Sequence, residues 1–252
     1  MHYYRADNLW KIFRLDLMRD ILDHIISRIL GVKLDPDPYP HFFVDNVFPK
    51  DFYAKLLLNL PDKRKYVPLD DRGDKTEENN SCRSILKLEP NELERLDPKE
   101  NKFWSDLAAA LESEPFTSAI TSYTFAHLKQ RFFGKSDLSV RSSTMLCRFG
   151  KGYALGPHTD SPHKLVSIIF YLAPDTKKKE LGTSVYIPLD SGFRCVGGPH
   201  YDFSEFKYME TAPYEPNSLF GFVKTDNSFH GVETLTEPNI ARDTLAYNLT
   251  LG

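Results

Sequence analysis

The chain has 252 residues, enough for one domain with a sizeable core. Its net charge of −3 removes any bulk electrostatic case for nucleic acid or an anionic membrane as partner. Cys82, Cys147 and Cys195 stand at unrelated spacings, which supplies neither a zinc-type pair nor a disulfide framework, so a reduced, cytoplasmic setting is expected.

At the start of the chain, charged residues interrupt every apolar run, so neither a signal peptide nor a membrane span is expected; Asp16, Arg19, Asp20, Asp23, His24 and Arg28 punctuate Leu15 to Leu30. Leu9, Ile12, Phe13, Leu17, Ile21, Ile25 and Ile29 recur at steps of three and four, which predicts an amphipathic helix over Leu9 to Leu30, stopped by Gly31. Three prolines make Asp35 to Pro40 a linker. A short strand at His41 to Val44 follows, then a turn and helix over Asn46 to Leu60, with Pro49 near its first turn. Asp62 to Ser84 is strongly polar and reads as a solvated loop. Ser84 to Leu88 reads as a strand, and Asn101 to Leu111 and Pro115 to Phe132 as helices.

From Leu138 onward the signals are strands and turns: Ser139 to Phe149, Leu165 to Leu172, Thr183 to Ile187, Ser218 to Val223, Ser228 to Leu235 and Arg242 to Leu251. Helices first and then a run of short strands argue an α+β fold whose strand half is a sandwich or barrel. The expected organisation is one domain over 1–252, mainly helical to 137 and β-rich from 138. Asp190 to Pro216, rich in Gly, Tyr and Phe, separates two of the strands.

His158 and Asp160 stand two apart behind Gly150, Gly152, Gly156 and Pro157, so an extended backbone turns both side chains to one face at a strand end. His-x-Asp alone is a common surface turn. It gains weight from His230, in Asn227 to Glu233, where Gly231 lets the backbone approach closely. Two imidazoles and one carboxylate suit iron(II) with coordination positions left open. Arg242 shares a strand face with Thr244, Ala246 and Asn248, while Leu245, Tyr247, Leu249 and Leu251 share the other, to be covered by the N-terminal helices. An inward arginine needs an anion. Leu165 to Leu172 is apolar on both faces and reads as a central strand, with Ser167 and Tyr171 on one face together with Leu165 and Ile169.

These residues resemble the iron(II)/2-oxoglutarate-dependent oxygenases, and within them the prolyl 4-hydroxylase-like branch. His158-x-Asp160, then His230, then Arg242-x-Thr244 is similar to that family's metal triad and cosubstrate arginine. Phe149-Gly150-x-Gly152 resembles the branch's segment before the motif, and Phe43 to Pro49 its N-terminal strand and helix entry. The likeness covers Ser139 to Gly252 well and the N-terminal half loosely. Phe149 and Leu155 stand where the branch has tyrosine, and Arg242 where collagen-type enzymes have lysine.

The resemblance implies a double-stranded β-helix, or jelly roll, with N-terminal helices packed on its major sheet. It implies iron(II) on His158, Asp160 and His230. It implies 2-oxoglutarate as cosubstrate, its far carboxylate held by Arg242 with Thr244 and Tyr171, dioxygen as oxidant, and ascorbate as an optional addition. The activity implied is hydroxylation of an unactivated C–H bond in a small metabolite, an amino acid or a peptidyl proline, with release of succinate and carbon dioxide. Two alternatives stand beside it. One is a cupin-like metal enzyme without 2-oxoglutarate, in which His163 or His200 joins the ligands and Arg242 is structural. The other is a non-catalytic jelly-roll module binding carbohydrate through the aromatics between Phe193 and Tyr214.

Overall fold

A computed structural model describes residues 3–69, 82–132, 139–237 and 239–252. The expected polar loop at 62–84 falls largely on residues 70–81, outside the described ones. In chain order the elements are α1 (Tyr3–Leu30), β1 (His41–Val44), α2 (Lys50–Leu58), β2 (Val67–Pro68), β3 (Arg83–Lys87), α3 (Pro90–Leu93), α4 (Pro98–Leu111), α5 (Glu114–Arg131), β4 (Val140–Phe149), β5 (Leu155–His158), β6 (Lys164–Leu172), β7 (Thr183–Pro188), β8 (Phe206–Ala212), β9 (Pro216–Val223), β10 (His230–Val232) and β11 (Arg242–Leu251).

The strands form two antiparallel sheets. One has seven strands in the order β1-β9-β6-β11-β4-β3-β2, and the other four in the order β5-β10-β7-β8. Mixed helices and antiparallel sheets make this the α+β class read from the sequence. The apolar run of β6 takes the interior place its composition calls for, hydrogen-bonded to β11 on one side and β9 on the other.

Because strand residues alternate, the large sheet separates two cores. Leu245, Tyr247 and Leu249 join Ile168, Phe170 and Leu146 under the helices, where Ile21, Ile25, Ile29, Trp104, Leu107 and Phe116 complete one cluster. The opposite face carries Phe149, Cys147, Tyr171, Phe220 and Phe222 toward the small sheet, which supplies Val185 and Val232. The helical half therefore buries one face of the sheet and leaves the other for a site. Asp97 caps α4 by accepting from the amides of Lys99 at 3.0 Å and Glu100 at 2.9 Å.

Four expectations need correction. Leu17 is 44 % exposed, and among the described residues Ile21, Leu22, Ile25 and Ile29 are the buried apolar side chains of α1; Leu9, Ile12 and Phe13 lie outside the described side chains. The strand expected over Ser228 to Leu235 is confined to β10, because Ser228 closes a turn on Thr225 in which its Oγ accepts the Thr225 amide at 3.0 Å. The segment between Asp190 and Pro216 contains β8, an edge strand whose four residues after Phe206 are exposed and so lack an alternating pattern. Finally, Leu165 does not share the face of Ser167. A bulge opposite Leu249 and Thr250 turns Leu165 into the helix-side core and Lys164 toward the small sheet.

Candidate metal centre

The first histidine and the second are brought together by strand pairing. His158 ends β5 and lies directly opposite His230 at the start of β10, with their ring centroids 4.3 Å apart. That approach depends on Gly231: a Cβ there would lie 2.5 Å from the Leu155 carbonyl oxygen, a backbone atom that cannot step aside. The expectation that a small residue serves close approach at this point is met. Asp160 follows two residues after His158, and one ligating atom from each of His158, Asp160 and His230 lies within 4.8 Å of the others.

Local hydrogen bonds orient both rings the same way. His158 Nδ1 lies 3.0 Å from the Gly156 carbonyl, and His230 Nδ1 lies 3.0 Å from the Ser228 carbonyl. A carbonyl can only accept, so each Nδ1 carries the proton and each Nε2 keeps its lone pair for an ion. Burial pushes the pKa of both rings down, with the neighbouring His230 adding to the effect at His158. Neutral imidazole is the form that ligates.

Asp160 is held in its charged form. Burial works against the charge, but Lys164, the two imidazoles and the Ser167 hydroxyl outweigh it and hold its carboxyl below the usual range. Lys164 Nζ donates to Oδ1 at 3.0 Å and Ser167 Oγ to Oδ2 at 2.6 Å. Lys164 reaches this position because of the bulge at Leu165, a feature that strict alternation along the strand conceals. The donor set, its protonation and its orientation fit a divalent ion with open positions.

Arg242, Thr244, Ala246 and Asn248 all line one cavity of about 350 Å³, together with His158, Asp160 and His230. The face assigned to β11 by alternation is therefore the face that carries them. The Arg242 guanidinium is 2 % exposed, donating from Nε to the Leu181 carbonyl at 2.5 Å and from a terminal nitrogen to Thr183 Oγ1 at 3.2 Å. It lies 5.0 Å from the Phe149 ring centroid and 5.6 Å from that of Tyr171. Among the described residues no carboxylate pairs with it, so its charge is met by neutral acceptors and aromatic faces. Thr244 stands beside Tyr171 in register, and the Tyr171 hydroxyl accepts the Thr183 amide at 2.9 Å. The Tyr171 ring lies against the Arg242 guanidinium, and Arg242 rather than Tyr171 lines the cavity.

Of the other candidates, His163 is exposed, whereas His200 lines the cavity with its ring centroid 4.6 Å from that of His158. Arg148 forms a two-pronged pair with Asp243, at 2.6 and 2.9 Å, and Arg194 is exposed. The aromatics expected to bind a ligand instead pack on one another: Phe193, Tyr201, Phe203 and Phe206 gather around Phe229 and Tyr186. Their loop docks on the metal strand, with Thr159 Oγ1 donating to the Cys195 carbonyl at 2.8 Å and the Tyr201 amide to the Pro157 carbonyl at 3.0 Å. Reasoning from the sequence missed Lys164, Ser167 as a partner of Asp160, and Arg83, which lines the same cavity. Nothing local to Arg83 marks it; only the pairing of β3 with β4 brings it in.

The fold is similar to that of solved prolyl hydroxylases, and the likeness read from the sequence is borne out at the level of fold. The chain is similar to a prolyl hydroxylase from Trichoplax adhaerens, solved with a fragment of the hypoxia-inducible factor oxygen degradation domain. The two are 12% identical with a TM-score of 0.50, over 94% of this chain and 92% of that one. It is also similar to a prolyl 4-hydroxylase from Phytophthora capsici, at 14% identity and a TM-score of 0.51, over 93% of this chain and 65% of that one. No family profile matches the sequence, and no curated protein matches it. Among the described residues no helix is long and apolar enough to cross a membrane.

Proposed function

We propose that the chain is an iron(II)- and 2-oxoglutarate-dependent dioxygenase of the prolyl 4-hydroxylase-like branch, acting as one domain over 1–252. We read its two sheets as a double-stranded β-helix: β4 to β7 fall alternately in the large and small sheets, and β8 to β11 alternate likewise. The carrying observation is that His158, Asp160, His230 and Arg242 line one cavity, with both Nδ1 atoms tied to backbone carbonyls and, among the described residues, no carboxylate paired with the arginine. The fold shared with solved prolyl hydroxylases supports it.

In this reading His158 and His230 donate neutral nitrogen and Asp160 one carboxylate oxygen, while Lys164 and Ser167 fix the carboxylate's orientation. When bound, iron(II) supplies the activation of dioxygen that couples decarboxylation of 2-oxoglutarate to oxidation of a substrate C–H bond. Arg242 presents a planar fork of donors to the far carboxylate of the cosubstrate, and Thr244 adds a hydroxyl from the same face. Tyr171 supports the arginine through its ring. Phe149, Tyr153 and Phe222 wall the cavity with apolar surface that excludes water from the reacting centre. The substrate classes consistent with the reading are a small metabolite, an amino acid or a peptidyl proline.

The test is anaerobic loading with iron(II) and 2-oxoglutarate followed by admission of oxygen. Succinate formation that needs both additions supports the assignment, and omission of ascorbate in one arm measures whether that reductant matters. A second reading keeps a specific observation: His200 contacts His158, as a cupin-like site with an extra histidine requires. In that case a tightly bound metal would be accompanied by no 2-oxoglutarate-dependent succinate, and His200→Ala would weaken metal binding.

A further inference from the structure

Resting on the oxygenase reading, we infer that Asn248 is a specificity-determining residue that recognises an amide N–H and C=O of the substrate. Asn248 is 7 % exposed and lines the cavity that holds His158, Asp160 and His230. Among the described residues its side-chain carboxamide hydrogen-bonds to no other group. A carboxamide held away from bulk water is costly unless something bonds it. Asparagine is also disfavoured inside strands. Yet Asn248 stands in β11, paired with Ser167 of β6 on one side and Ser143 of β4 on the other, so its backbone is fixed from both sides.

The cavity-facing residues of β11 change character along the strand. Arg242 opens it, and Asn248 follows on the same face about 20 Å further along an extended backbone. Between them Ala246 is flanked in register by Ile169 and Met145, and all three line the cavity, so its middle is apolar. The far carboxylate of the cosubstrate belongs to the Arg242 end. Asn248 belongs to the opposite end, in the row of Ser167, whose hydroxyl is engaged with Asp160 at 2.6 Å. A substrate entering there lays an apolar part on Ala246, Ile169 and Met145 and brings a polar group to Asn248.

The carboxamide names that group. It presents an N–H donor and a carbonyl acceptor side by side. A primary carboxamide answers both with two parallel bonds. So does one residue of an extended peptide, whose own N–H and C=O point the same way. A carboxylate, an ester or a ketone meets the donor alone. The inference therefore sets amide-bearing substrates ahead of these.

The test uses the full chain loaded with manganese(II) in place of iron(II), so that no turnover occurs, and saturated with 2-oxoglutarate. Two series of probes are titrated by calorimetry. One is small aliphatic primary carboxamides, each against the methyl ketone of the same shape. The other is N-acetyl amino acid N-methylamides with aliphatic side chains, each against the ester analogue in which oxygen replaces the acetylated N–H. In at least one series the amide is expected to bind the wild type about tenfold tighter than its analogue, and the series that does so assigns the source as small molecule or peptide. Asn248→Leu removes the preference, leaves 2-oxoglutarate affinity within about twofold of wild type, and unfolds no earlier than the wild type, because no protein hydrogen bond is lost. The inference is overturned if neither series prefers the amide, or if the preference survives in Asn248→Leu. An unfolding midpoint several degrees below wild type in both Asn248→Leu and Asn248→Ala would also overturn it, by making the carboxamide a structural group. Should leucine not fit, Asn248→Ala, which adds no atoms, gives the same readings. Failure of the wild type to bind 2-oxoglutarate would instead overturn the oxygenase reading, and the same comparison then runs on the protein with manganese alone.

Discussion

At the residue scale, the site depends on side chains whose second atoms are fixed as firmly as their first. Each ligating imidazole has its Nδ1 tied to a carbonyl two residues earlier, and both oxygens of Asp160 are already bonded. Second contacts of this kind commonly tune metal affinity by tenfold or more. Ser167→Ala should therefore weaken metal binding about tenfold while leaving the fold intact, as read by titration with a divalent ion against circular dichroism. Arg242 makes the opposite separation. Removing it leaves a buried carboxylate of the cosubstrate unpaired, at a cost of about 3 kcal/mol or more, hence roughly a hundredfold in 2-oxoglutarate affinity. Arg242→Gln should show that loss with little change in metal affinity, when the two are titrated separately; equal 2-oxoglutarate affinity in the variant would move the anchor elsewhere. Gly231→Ala should act on the metal alone, because its Cβ forces β10 away from the Leu155 carbonyl and His230 away from His158.

At the element scale, long elements were legible and short ones were not. The strand over Arg242 to Leu251 was readable to the residue because both of its faces are buried in different company, apolar on one side and polar on the other. The helices α4 and α5 were readable from their apolar spacing, although α4 begins at Pro98, ahead of the expected Asn101. β8 was not, because an edge strand with exposed residues has no pattern to read, and β5 is four residues long with a glycine and a proline among them. The triad itself was legible because its ligand types are distinctive. Lys164 and Arg83 were not, since one is turned inward by a bulge and the other is delivered by strand pairing across some 60 residues of sequence. The loop after β7 makes a further point. Gly197 has φ +124°, and a Cβ there would lie 2.3 Å from the Asp160 carbonyl oxygen. Gly197→Ala should thus push the loop off the metal strand and lower metal affinity, whereas Arg194→Ala, on the exposed part of that loop, should leave it unchanged in the same titration.

At the scale of the whole molecule, one sheet serves two purposes through its two faces. The helix-side core supplies stability: Trp104 is fully buried and donates from Nε1 to the Asn59 carbonyl at 2.7 Å. Trp104→Phe would leave that acceptor unmet, at about 1–3 kcal/mol, and should lower the unfolding midpoint without altering the metal or cosubstrate affinity of the folded protein. The opposite face holds the ligands, the arginines and the cavity, on strands kept in register by that core. The central claim is that this cavity couples a metal to 2-oxoglutarate. Its most direct measurement is the succinate released from 2-oxoglutarate after oxygen is admitted to the iron(II)-loaded chain, compared with His158→Ala and Arg242→Gln. The account predicts succinate that requires both iron(II) and 2-oxoglutarate, vanishes in His158→Ala, and in Arg242→Gln returns only at far higher 2-oxoglutarate. Tight metal binding by the wild type with no succinate above the level of His158→Ala would contradict it.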